Sequence, residues 1–337
     1  MIEPKTKKIL VIGPSWVGDM VMAQSLFMTL KSNNPACQID VLAPGWSLPL
    51  LERMPEVTKA HTMPLLHGQF GFTQRVQIGK GLRFESYDQA IVLPNSWKSA
   101  LIPYFANIPL RTGYVGEVRW GLLNNTRKLD KQLLTMTVQR FVALAIPAIE
   151  KQVPECPTPV LKIDKANQQQ AAEKFNLDLS NRVLALCPGA EYGPAKQWPA
   201  THYAELAKNK LAQGWYVWIF GSDKDKAIAE QINQLAGNAC QDFSGKTSLA
   251  EAIDLMSLAE VVVSNDSGLM HVAAALDKQV IALYGSSDPS FTPPLNKDAK
   301  VINLNLDCSP CFKRECPLGH THCLTEISAQ QVIAEIN

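Results

Sequence analysis

The sequence predicts an α/β protein with two domains, each a doubly wound parallel sheet. In two stretches, residues 9–31 and residues 261–276, an apolar strand runs through a polar turn directly into an apolar helix. Strands that alternate with helices usually pair in parallel. The alternation is interrupted by Pro154, Pro157 and Pro159, and this break favours a linker between two domains.

The composition is that of a well-packed globular protein. With 337 residues, the chain exceeds the roughly 250–300 residues that one hydrophobic core usually serves. Hydrophobic residues make up 46% and charged residues 19%, which excludes a disordered chain. The net charge of +1 argues against a general nucleic-acid binder, so we expect no nucleic-acid partner.

The expected location is the cytoplasm. No apolar run approaches the roughly 20 residues that span a bilayer. The N-terminus also has too few apolar residues for the core of a signal peptide. Eight cysteines in a chain of this length fit reduced thiols better than a disulfide framework.

The first domain is predicted to span residues 1–155. Its strands are expected at residues 8–13, 38–43 and 89–93, and its helices near residues 19–32, 47–54 and 135–147. Prolines mark the ends of several of these elements, because proline lacks the N–H that a strand or helix would use. Residues 61–85 are glycine-rich and weakly periodic, which predicts mostly loop with one short helix.

The second domain is predicted to span residues 160–325. Its strands are expected at residues 182–187, 215–220, 260–264 and 279–284. Its helices are expected at residues 165–175, 200–212, 223–235, 248–258 and 268–276. A last amphipathic helix at 327–336 belongs to a C-terminal segment, 326–337, that we expect to pack back on the first domain.

Three turns at strand ends indicate a phosphate site in the second domain. The first runs from Cys187 to Pro199 and contains Lys196, and the others lie at 221–225 and 265–268. Glycine allows the backbone to approach a ligand closely, and lysine can contact a phosphate as a point charge. Ligands of such sheets bind at the carboxyl ends of the strands, where the start of a helix favours an anion.

Two common nucleotide motifs are not matched. The segment from Gly13 to Gly18 lacks the middle glycine of the dinucleotide fingerprint. Asp19 occupies the position at which a P-loop has its lysine. An epimerase or dehydrogenase acting on nucleotide sugars is one alternative, and it would need bound NAD. A non-catalytic nucleotide-sensing protein is the other.

Asp19 is the candidate catalytic residue. It lies in the turn between the first strand and the first helix, where a carboxylate can act as a general base toward a hydroxyl group. The alternative is a carboxylate that only stabilises the start of the helix through the helix dipole.

Five longer motifs resemble those of glycosyltransferase family 9, the ADP-heptose:lipopolysaccharide heptosyltransferases, and in particular its members that add the second heptose. They are, between about residues 8 and 294, ILVIGPSWVGDMVMAQSL, VLPNSWKSALIP, RTGYVGEVRWGLLN, CPGAEYGPAKQWP and SNDSGLMHVAAAL. The resemblance implies a GT-B fold, with two Rossmann-like domains facing a cleft. It also implies an inverting transfer of L-glycero-D-manno-heptose from ADP-heptose.

The resemblance further implies roles for individual residues. Asp19 matches the proposed base, and Lys196 matches a lysine that contacts the donor phosphates. The donor-binding motif D-[ST]-G-x-x-H is matched by Asp266, Ser267, Gly268 and His271. Other donor-binding positions are implied for Glu191, Tyr192, Asp225 and Thr247.

The implied acceptor is the first heptose of the lipopolysaccharide inner core. The alternatives are a first-heptose enzyme acting on Kdo, and another nucleotide-sugar enzyme of GT-B or epimerase type. Lys196 and the helix start at Ser267–Gly268 would supply positive potential for the leaving ADP, so we expect no required metal or other cofactor. The enzyme would contact the cytoplasmic face of the inner membrane peripherally.

Basic residues of the first domain fit an anionic lipid acceptor. Residues 111–131 contain five basic residues against Glu117 and Asp130. The acceptor-binding candidates are Asn95, Lys98, Arg111, Arg119 and Trp120. Arginine and lysine suit the phosphate and carboxylate groups of such an acceptor. For residues 127–131 a solvated basic face is the alternative.

Four cysteines near the C-terminus belong to none of these motifs. They are Cys308, Cys311, Cys316 and Cys323, with His320 and His322 close by in the sequence. Such density resembles a structural zinc or iron–sulfur site, although the gaps differ from those of common zinc ribbons. Reduced thiols in a surface loop are the alternative.

Overall fold

A computed structural model describes residues 7–65, 68–147 and 152–336 of the chain. The chain divides into two compact units, Met1–Pro159 and Val160–Asn337. Residues 149–151 of the predicted linker lie outside the described ranges. Within those ranges, no helix is long and apolar enough to cross a membrane.

The first unit is built on one six-stranded sheet in which all neighbouring strands are parallel. Its strands are β1 (Lys8–Ile12), β2 (Gln38–Pro44), β3 (Lys59–Met63), β4 (Gln89–Val92), β5 (Leu110–Tyr114) and β6 (Asn125–Arg127). Its helices are α1 (Val17–Asn33), α2 (Leu48–Leu51), α3 (Phe72–Leu82), α4 (Leu101–Phe105) and α5 (Thr137–Val142). Short 3-10 turns lie at Gly45–Ser47, Arg83–Glu85 and Trp97–Ala100.

The order of the strands in this sheet is β3-β2-β1-β4-β5-β6. The winding therefore reverses between β1 and β4, and the crevice at such a switch point is where ligands of doubly wound sheets bind. The turn that carries Asp19 follows β1, and the turn that carries Asn95 follows β4. The topology thus brings both turns to the same switch point.

The second unit repeats this architecture with a second six-stranded parallel sheet. Its strands are β7 (Val183–Cys187), β8 (Tyr216–Ile219), β9 (Gln241–Asp242), β10 (Val261–Asn265), β11 (Gln279–Leu283) and β12 (Lys300–Ile302). Its longer helices are α6 (Lys165–Lys174), α7 (Ala200–Ala212), α8 (Lys226–Leu235), α9 (Leu249–Met256) and α10 (Gly268–Ala275). Two short helices follow, α11 (His322–Thr325) and α12 (Ala329–Ala334), and 3-10 turns lie at Pro194–Lys196 and Asp223–Asp225.

The strand order of the second sheet is β12-β11-β10-β7-β8-β9, so its switch point lies between β7 and β10. Both of these central strands are buried along their whole length. A strand covered on both faces by helices needs apolar side chains on both sides, which explains the continuous runs VLALC and VVVSN. The predicted class of fold, two doubly wound α/β sheets, is confirmed.

The structure differs from the sequence prediction in the less regular segments. The segment predicted as mostly loop, residues 61–85, contains the end of β3 and the eleven-residue helix α3. Strands β3, β5, β6, β9 and β12 were not predicted, because they are short or interrupted by polar residues and glycine. These short strands are stabilised by pairing with neighbouring strands of the sheet. Because those neighbours are distant in the sequence, local hydrophobic periodicity does not reveal the pairing.

The last helix also differs from its prediction. The sequence analysis placed it on the first domain, whereas in the structure the buried residues of α12, Ala329 and Val332, belong to the core of the second unit. They pack there against α7, whose Tyr203 and Leu206 are fully buried. An amphipathic helix specifies that one face is buried but not which surface covers it.

Candidate functional site

The carboxyl ends of β7 and β10 are tied together by a buried amide, Asn265. Its Nδ2 donates to the carbonyl oxygen of Pro188 at 2.7 Å, across the switch point. Its Oδ1 accepts from the N–H of Trp198 and from the hydroxyl of Tyr203, each at 3.1 Å. Asn265 is fully buried. One side chain therefore fixes the turn after β7, the start of α7 and the end of β10. Sequence analysis assigned Asn265 only to the polar turn, because nothing local shows which way the amide points.

Replacing Asn265 by alanine is expected to lower the free energy of unfolding by about 1–3 kcal/mol, because buried N–H and hydroxyl groups lose their partner. Urea denaturation of both proteins measures this difference. Gln234→Ala, which removes an exposed amide on α8, is the control and should change stability by less than about 0.5 kcal/mol. Equal stability of Asn265→Ala and the unmodified protein would contradict this role.

Lys196 and Asp266 form an ion pair directly beside this amide. The Nζ of Lys196 lies 2.5 Å from Oδ2 of Asp266, and the two side chains are 17% and 6% exposed. Lys196 ends the 3-10 turn after β7, and Asp266 follows β10. The structure therefore brings together two predicted donor-binding residues that are 70 positions apart in the sequence. The ammonium of Lys196, whose charge is balanced by Asp266, thus lies at the edge of the sheet where ligands of such sheets bind.

Helix α10 begins at the same place and points its first turn toward this edge. Its N-cap is Ser267 and its first residue is Gly268, so both predicted residues lie at the positive end of the helix dipole. His271 lies one turn further and is 5% exposed. Burial and the nearby Lys196 lower the pKa of His271 to about 4, although Asp266 acts in the opposite direction. His271 is therefore neutral near pH 7 and can accept or donate one hydrogen bond.

The shifted pKa of His271 predicts a loss of stability in mild acid. Its pKa is about 4 in the folded protein against an ordinary 6.5, so between these values the unfolded chain binds more protons. Stability should fall as the pH falls through this window, with a slope of up to about 1.4 kcal/mol per pH unit. Urea denaturation across the window measures the slope, and His271→Gln should reduce it. An unchanged slope in His271→Gln would contradict the buried neutral imidazole.

Asp225 is held between the turns that follow β7 and β8. Its Oδ2 accepts from the N–H and the hydroxyl of Ser222, each at 2.8 Å. Gly189 lies so close that a Cβ there would be 2.6 Å from the Asp225 carboxyl group, so a side chain at position 189 would displace it. Thr247 lies beyond β9, where its hydroxyl donates to the carbonyl oxygen of Phe243 at 3.4 Å. Asp225 thus presents a fixed carboxylate at the strand ends, and Thr247 lies at the margin of this region.

The loop before Lys196 contacts the segment that contains the four C-terminal cysteines. The hydroxyl of Tyr192 donates to the carbonyl oxygen of Phe312 at 2.8 Å, and the N–H of Ala195 donates to that of Arg314 at 3.0 Å. Gly193 has a φ of +155°, and a Cβ there would collide with the Arg314 carbonyl. The ring of Tyr192 also lies between the cations of Lys196 and Arg314, at 5.2 and 5.4 Å. The segment after β12 therefore shapes the loop that carries Lys196, which the sequence analysis did not predict.

The remaining predicted residue of this loop, Glu191, is exposed and forms an ion pair with Lys224 of the turn after β8. Tyr192 and Lys196 have the Tyr-x-x-x-Lys spacing that sugar-nucleotide dehydrogenases use. However, the hydroxyl of Tyr192 donates to the backbone carbonyl of Phe312. This arrangement does not favour the dehydrogenase alternative.

The four cysteines near the C-terminus line one small cavity of about 20 Å³, together with Ala195 and Ser286. All four are free thiols. Backbone N–H groups, that of Thr321 foremost, lower the pKa of Cys316, whereas burial raises that of Cys323. In the described part of the chain, no group of three or more His, Cys, Asp or Glu side chains is arranged to hold a metal ion. The structure therefore shows no preformed coordination sphere, and a structural metal here stays a prediction that metal analysis of the purified protein would check.

Two hydroxyl groups after β11 were missed by the sequence analysis. Ser286 and Ser287 are 1% and 5% exposed. Their Oγ atoms have no hydrogen-bond partner among the described residues. Buried hydroxyls without partners are uncommon and suit a ligand or water. The signal was a fourth polar turn, GSSD, at the end of a strand next to β10.

In the first unit, Asp19 lies in the first turn of α1 and is half-buried. Its carboxylate thus lies near the positive end of the helix dipole. Gly13, at the end of β1, has Ala43 and Val41 within 3.3 Å of the place of a Cβ, so the turn before α1 is closely packed. The carboxylate is therefore carried by a well-fixed element at the switch point of this sheet.

Of the five predicted acceptor residues, two are structural. Arg119 is 1% exposed and donates to the carbonyl oxygens of Pro94 and Tyr114. Arg111 donates to those of Leu122 and Ile108, each at 2.6 Å. Both guanidinium groups hold loops together. Arg119 is buried and Arg111 is half-buried, and their predicted contacts with the acceptor stay predictions.

The other three predicted residues are accessible. Asn95 is exposed, Trp120 is 78% exposed, and the Nζ of Lys98 donates to the carbonyl oxygen of Gln69 at 3.1 Å. Gly116 approaches Asn95 so closely that a Cβ would lie 2.5 Å from its carbonyl oxygen. Among the residues predicted as a basic face, Arg127, Lys128 and Lys131 line a cavity of about 690 Å³.

Comparison with known proteins agrees with this geometry. Residues 75–322 match Glycosyltransferase family 9 (heptosyltransferase). The chain is 47% identical to lipopolysaccharide heptosyltransferase 2 of Salmonella typhimurium and 46% identical to that of Escherichia coli K12. Each alignment covers 98% of this chain and 97% of the relative. The solved structure of E. coli ADP-heptose lps heptosyltransferase II has a TM-score of 0.87 and 44% identity, covering 98% of this chain and 97% of that one.

The similarity covers 98% of the chain and therefore extends over both units. It confirms the predicted family and the predicted GT-B class of fold. The chain belongs to glycosyltransferase family 9, the heptosyltransferases.

Proposed function

We propose that this protein transfers L-glycero-D-manno-heptose from ADP-heptose to the first heptose of the lipopolysaccharide inner core. The observation that carries the proposal is that the half-buried ammonium of Lys196, held by Asp266, lies beside the start of α10, where both can contact the diphosphate of a nucleotide sugar. The full-length similarity to enzymes named heptosyltransferase 2 supports the second-heptose acceptor over Kdo.

The second unit would bind the donor at its switch point. Lys196 would neutralise the diphosphate, with the N–H groups at Ser267 and Gly268 as further donors. Asp225 would accept hydrogen bonds from the ribose hydroxyls, and Thr247, Glu191 and Tyr192 would line the nucleotide. The buried hydroxyl of Ser287, which follows β11 and has no hydrogen-bond partner among the described residues, would be a further donor for a phosphate oxygen.

The transfer would proceed in one displacement with inversion. Asp19 removes the proton from an acceptor hydroxyl, and the oxygen forms a bond to the anomeric carbon of the heptose. The bond between that carbon and the phosphate oxygen breaks, and the electron pair leaves with ADP. Positive charge on the sugar develops in an oxocarbenium-like transition state. Lys196 and the start of α10 stabilise the negative charge that grows on the leaving phosphate.

This chemistry requires no metal, because fixed positive charge of the protein replaces it. We therefore expect that EDTA, added to the transfer assay, lowers the rate by less than about twofold, since the stabilising groups stay in place. Added Mg²⁺ provides the control for effects of ionic strength. Complete loss of transfer in EDTA, restored by a metal, would contradict this part of the proposal.

The acceptor would bind to the first unit through Asn95, Lys98 and Trp120, with Arg111 and Arg119 holding the loops that carry them. Because the acceptor is a lipid, we also propose peripheral contact with the cytoplasmic face of the inner membrane.

The decisive experiment supplies ADP-heptose together with lipid acceptors that carry no heptose or one heptose. The mass of the product shows whether one heptose is added and to which acceptor. We expect transfer only to the acceptor that already carries one heptose. Transfer to the heptose-free acceptor would favour the Kdo alternative. Binding of ADP-heptose without transfer to either acceptor would favour a nucleotide-sensing protein.

A further inference from the structure

Five aromatic side chains form a continuous surface on α3, α4 and the turns before them, and we call this the aromatic surface. Its members are Phe70, Phe72, Trp97, Tyr104 and Phe105. The ring centroids of neighbouring members lie 5.3–6.0 Å apart. Phe70, Phe72 and Tyr104 are 51%, 45% and 42% exposed. Contiguous exposed aromatic groups are uncommon on a soluble protein and mark an interaction surface.

The backbone beneath this surface is rigid. The guanidinium of Arg75, which is 6% exposed, donates to the carbonyl oxygens of Phe70 and Gln69 at 2.7 and 3.3 Å. Helices α3 and α4 are in close contact at Gly79, where a Cβ would lie 2.7 Å from the carbonyl oxygen of Ile102. The backbone that carries the aromatic rings is therefore held in place.

Cations border the aromatic surface on several sides. The Nζ of Lys98 lies on the backbone next to Phe70, and the Nε of Arg83 donates to the carbonyl oxygen of Phe105 at 2.8 Å. The guanidinium of Arg111 lies 5.6 Å from the ring centroid of Tyr104. An acidic residue, Glu117, also borders the aromatic surface, and its carboxylate accepts a hydrogen bond from the N–H of Trp97 at 2.7 Å. Positive charge therefore predominates around the rings.

Aromatic side chains bordered by lysine and arginine suit the headgroup region of an anionic bilayer. The rings lie among the lipid headgroups, and the cations are attracted to the negative surface of the cytoplasmic leaflet. We propose that the aromatic surface is the site by which this protein docks on a bilayer containing anionic phospholipid. This inference rests on the proposed function, in which the acceptor is a lipid and Lys98, beside the aromatic surface, is a candidate acceptor contact.

The test measures sedimentation of the full chain with vesicles of phosphatidylcholine, with and without phosphatidylglycerol. We expect binding to the vesicles that contain phosphatidylglycerol, and about tenfold or more weaker binding by F70S/F72S, because two ring insertions are lost. L179S, which removes a 49% exposed apolar side chain in the second unit, is the matched control and should bind like the unmodified protein. F70W/F72W should retain binding, because tryptophan prefers the interface.

Equal vesicle binding by F70S/F72S and the unmodified protein, with thermal unfolding unchanged, would overturn the proposal. So would no vesicle binding by the unmodified protein, or a dimer in sedimentation velocity that F70S/F72S abolishes. Transfer to a deacylated, water-soluble acceptor should be the same in F70S/F72S, and an equal loss there would assign the rings to acceptor recognition instead. If neither protein transfers heptose but vesicle binding behaves as expected, the proposed function fails and the docking surface stands.

Discussion

Replacing Asp19 by asparagine is expected to lower kcat by about 10²–10⁴-fold, the usual contribution of a general base. Asparagine has nearly the same shape, but its amide cannot take up the proton of the acceptor hydroxyl. Because the donor is assigned to the second unit, binding of ADP should not change. The rate is measured by the mass of the heptosylated product, and ADP binding by calorimetry.

The same variant separates the base from the alternative role at the start of α1. A carboxylate that only interacts with the helix dipole would contribute about 0.3–1 kcal/mol to stability and nothing to the rate. The control is Asp298→Asn, which neutralises an exposed carboxylate in the second unit and should leave transfer unchanged. Turnover by Asp19→Asn within a few-fold of the unmodified enzyme would exclude Asp19 as the base.

The second large effect is expected from Lys196→Met. Loss of the cation removes charge stabilisation of the leaving ADP, which should lower kcat by about 10²–10³-fold. It also leaves Asp266, which is 6% exposed, without its cation. Removing one partner of a buried ion pair destabilises a protein by about 3–5 kcal/mol. The free energy of unfolding should therefore fall by about 3 kcal/mol. Product mass and urea denaturation measure the two effects.

A double variant distinguishes the structural from the catalytic part of this pair. In Lys196→Met/Asp266→Asn no buried charge is left alone, so most of the lost stability should return while transfer stays low. The matched control is Lys174→Met, whose ammonium is 51% exposed and lies 2.7 Å from Glu251. An exposed pair contributes at most about 1 kcal/mol, and transfer should be unaffected. Recovery of both stability and transfer in the double variant would contradict the role of Lys196 toward ADP.

Much of the fold could be predicted because it depends on local pattern. Buried strands such as Val183–Cys187 and Val261–Asn265 need continuous apolar residues, and the helices that follow them begin after polar turns. Lys196 and Asp266 lie in these turns, and Asp19 lies in the first turn of the helix after β1. All three are thus near strand ends, where ligands of parallel sheets bind. Position alone favoured a base at Asp19 and a phosphate contact at Lys196, whereas the role of Asp266 in the donor-binding motif came from resemblance to a family.

What the sequence by itself determined is the alternation of strands and helices, and with it the edge of each sheet where a ligand binds. The tertiary structure decided which polar groups meet there. Asn265 accepts a hydrogen bond from Trp198, which is 67 positions away in the sequence. Tyr192 donates a hydrogen bond to Phe312, which is 120 positions away. The buried Arg119 donates to the loop after β4. The physical reason is that a strand or helix is specified by neighbours within a few residues. The partner of a buried amide or guanidinium is specified only when distant segments have already packed together.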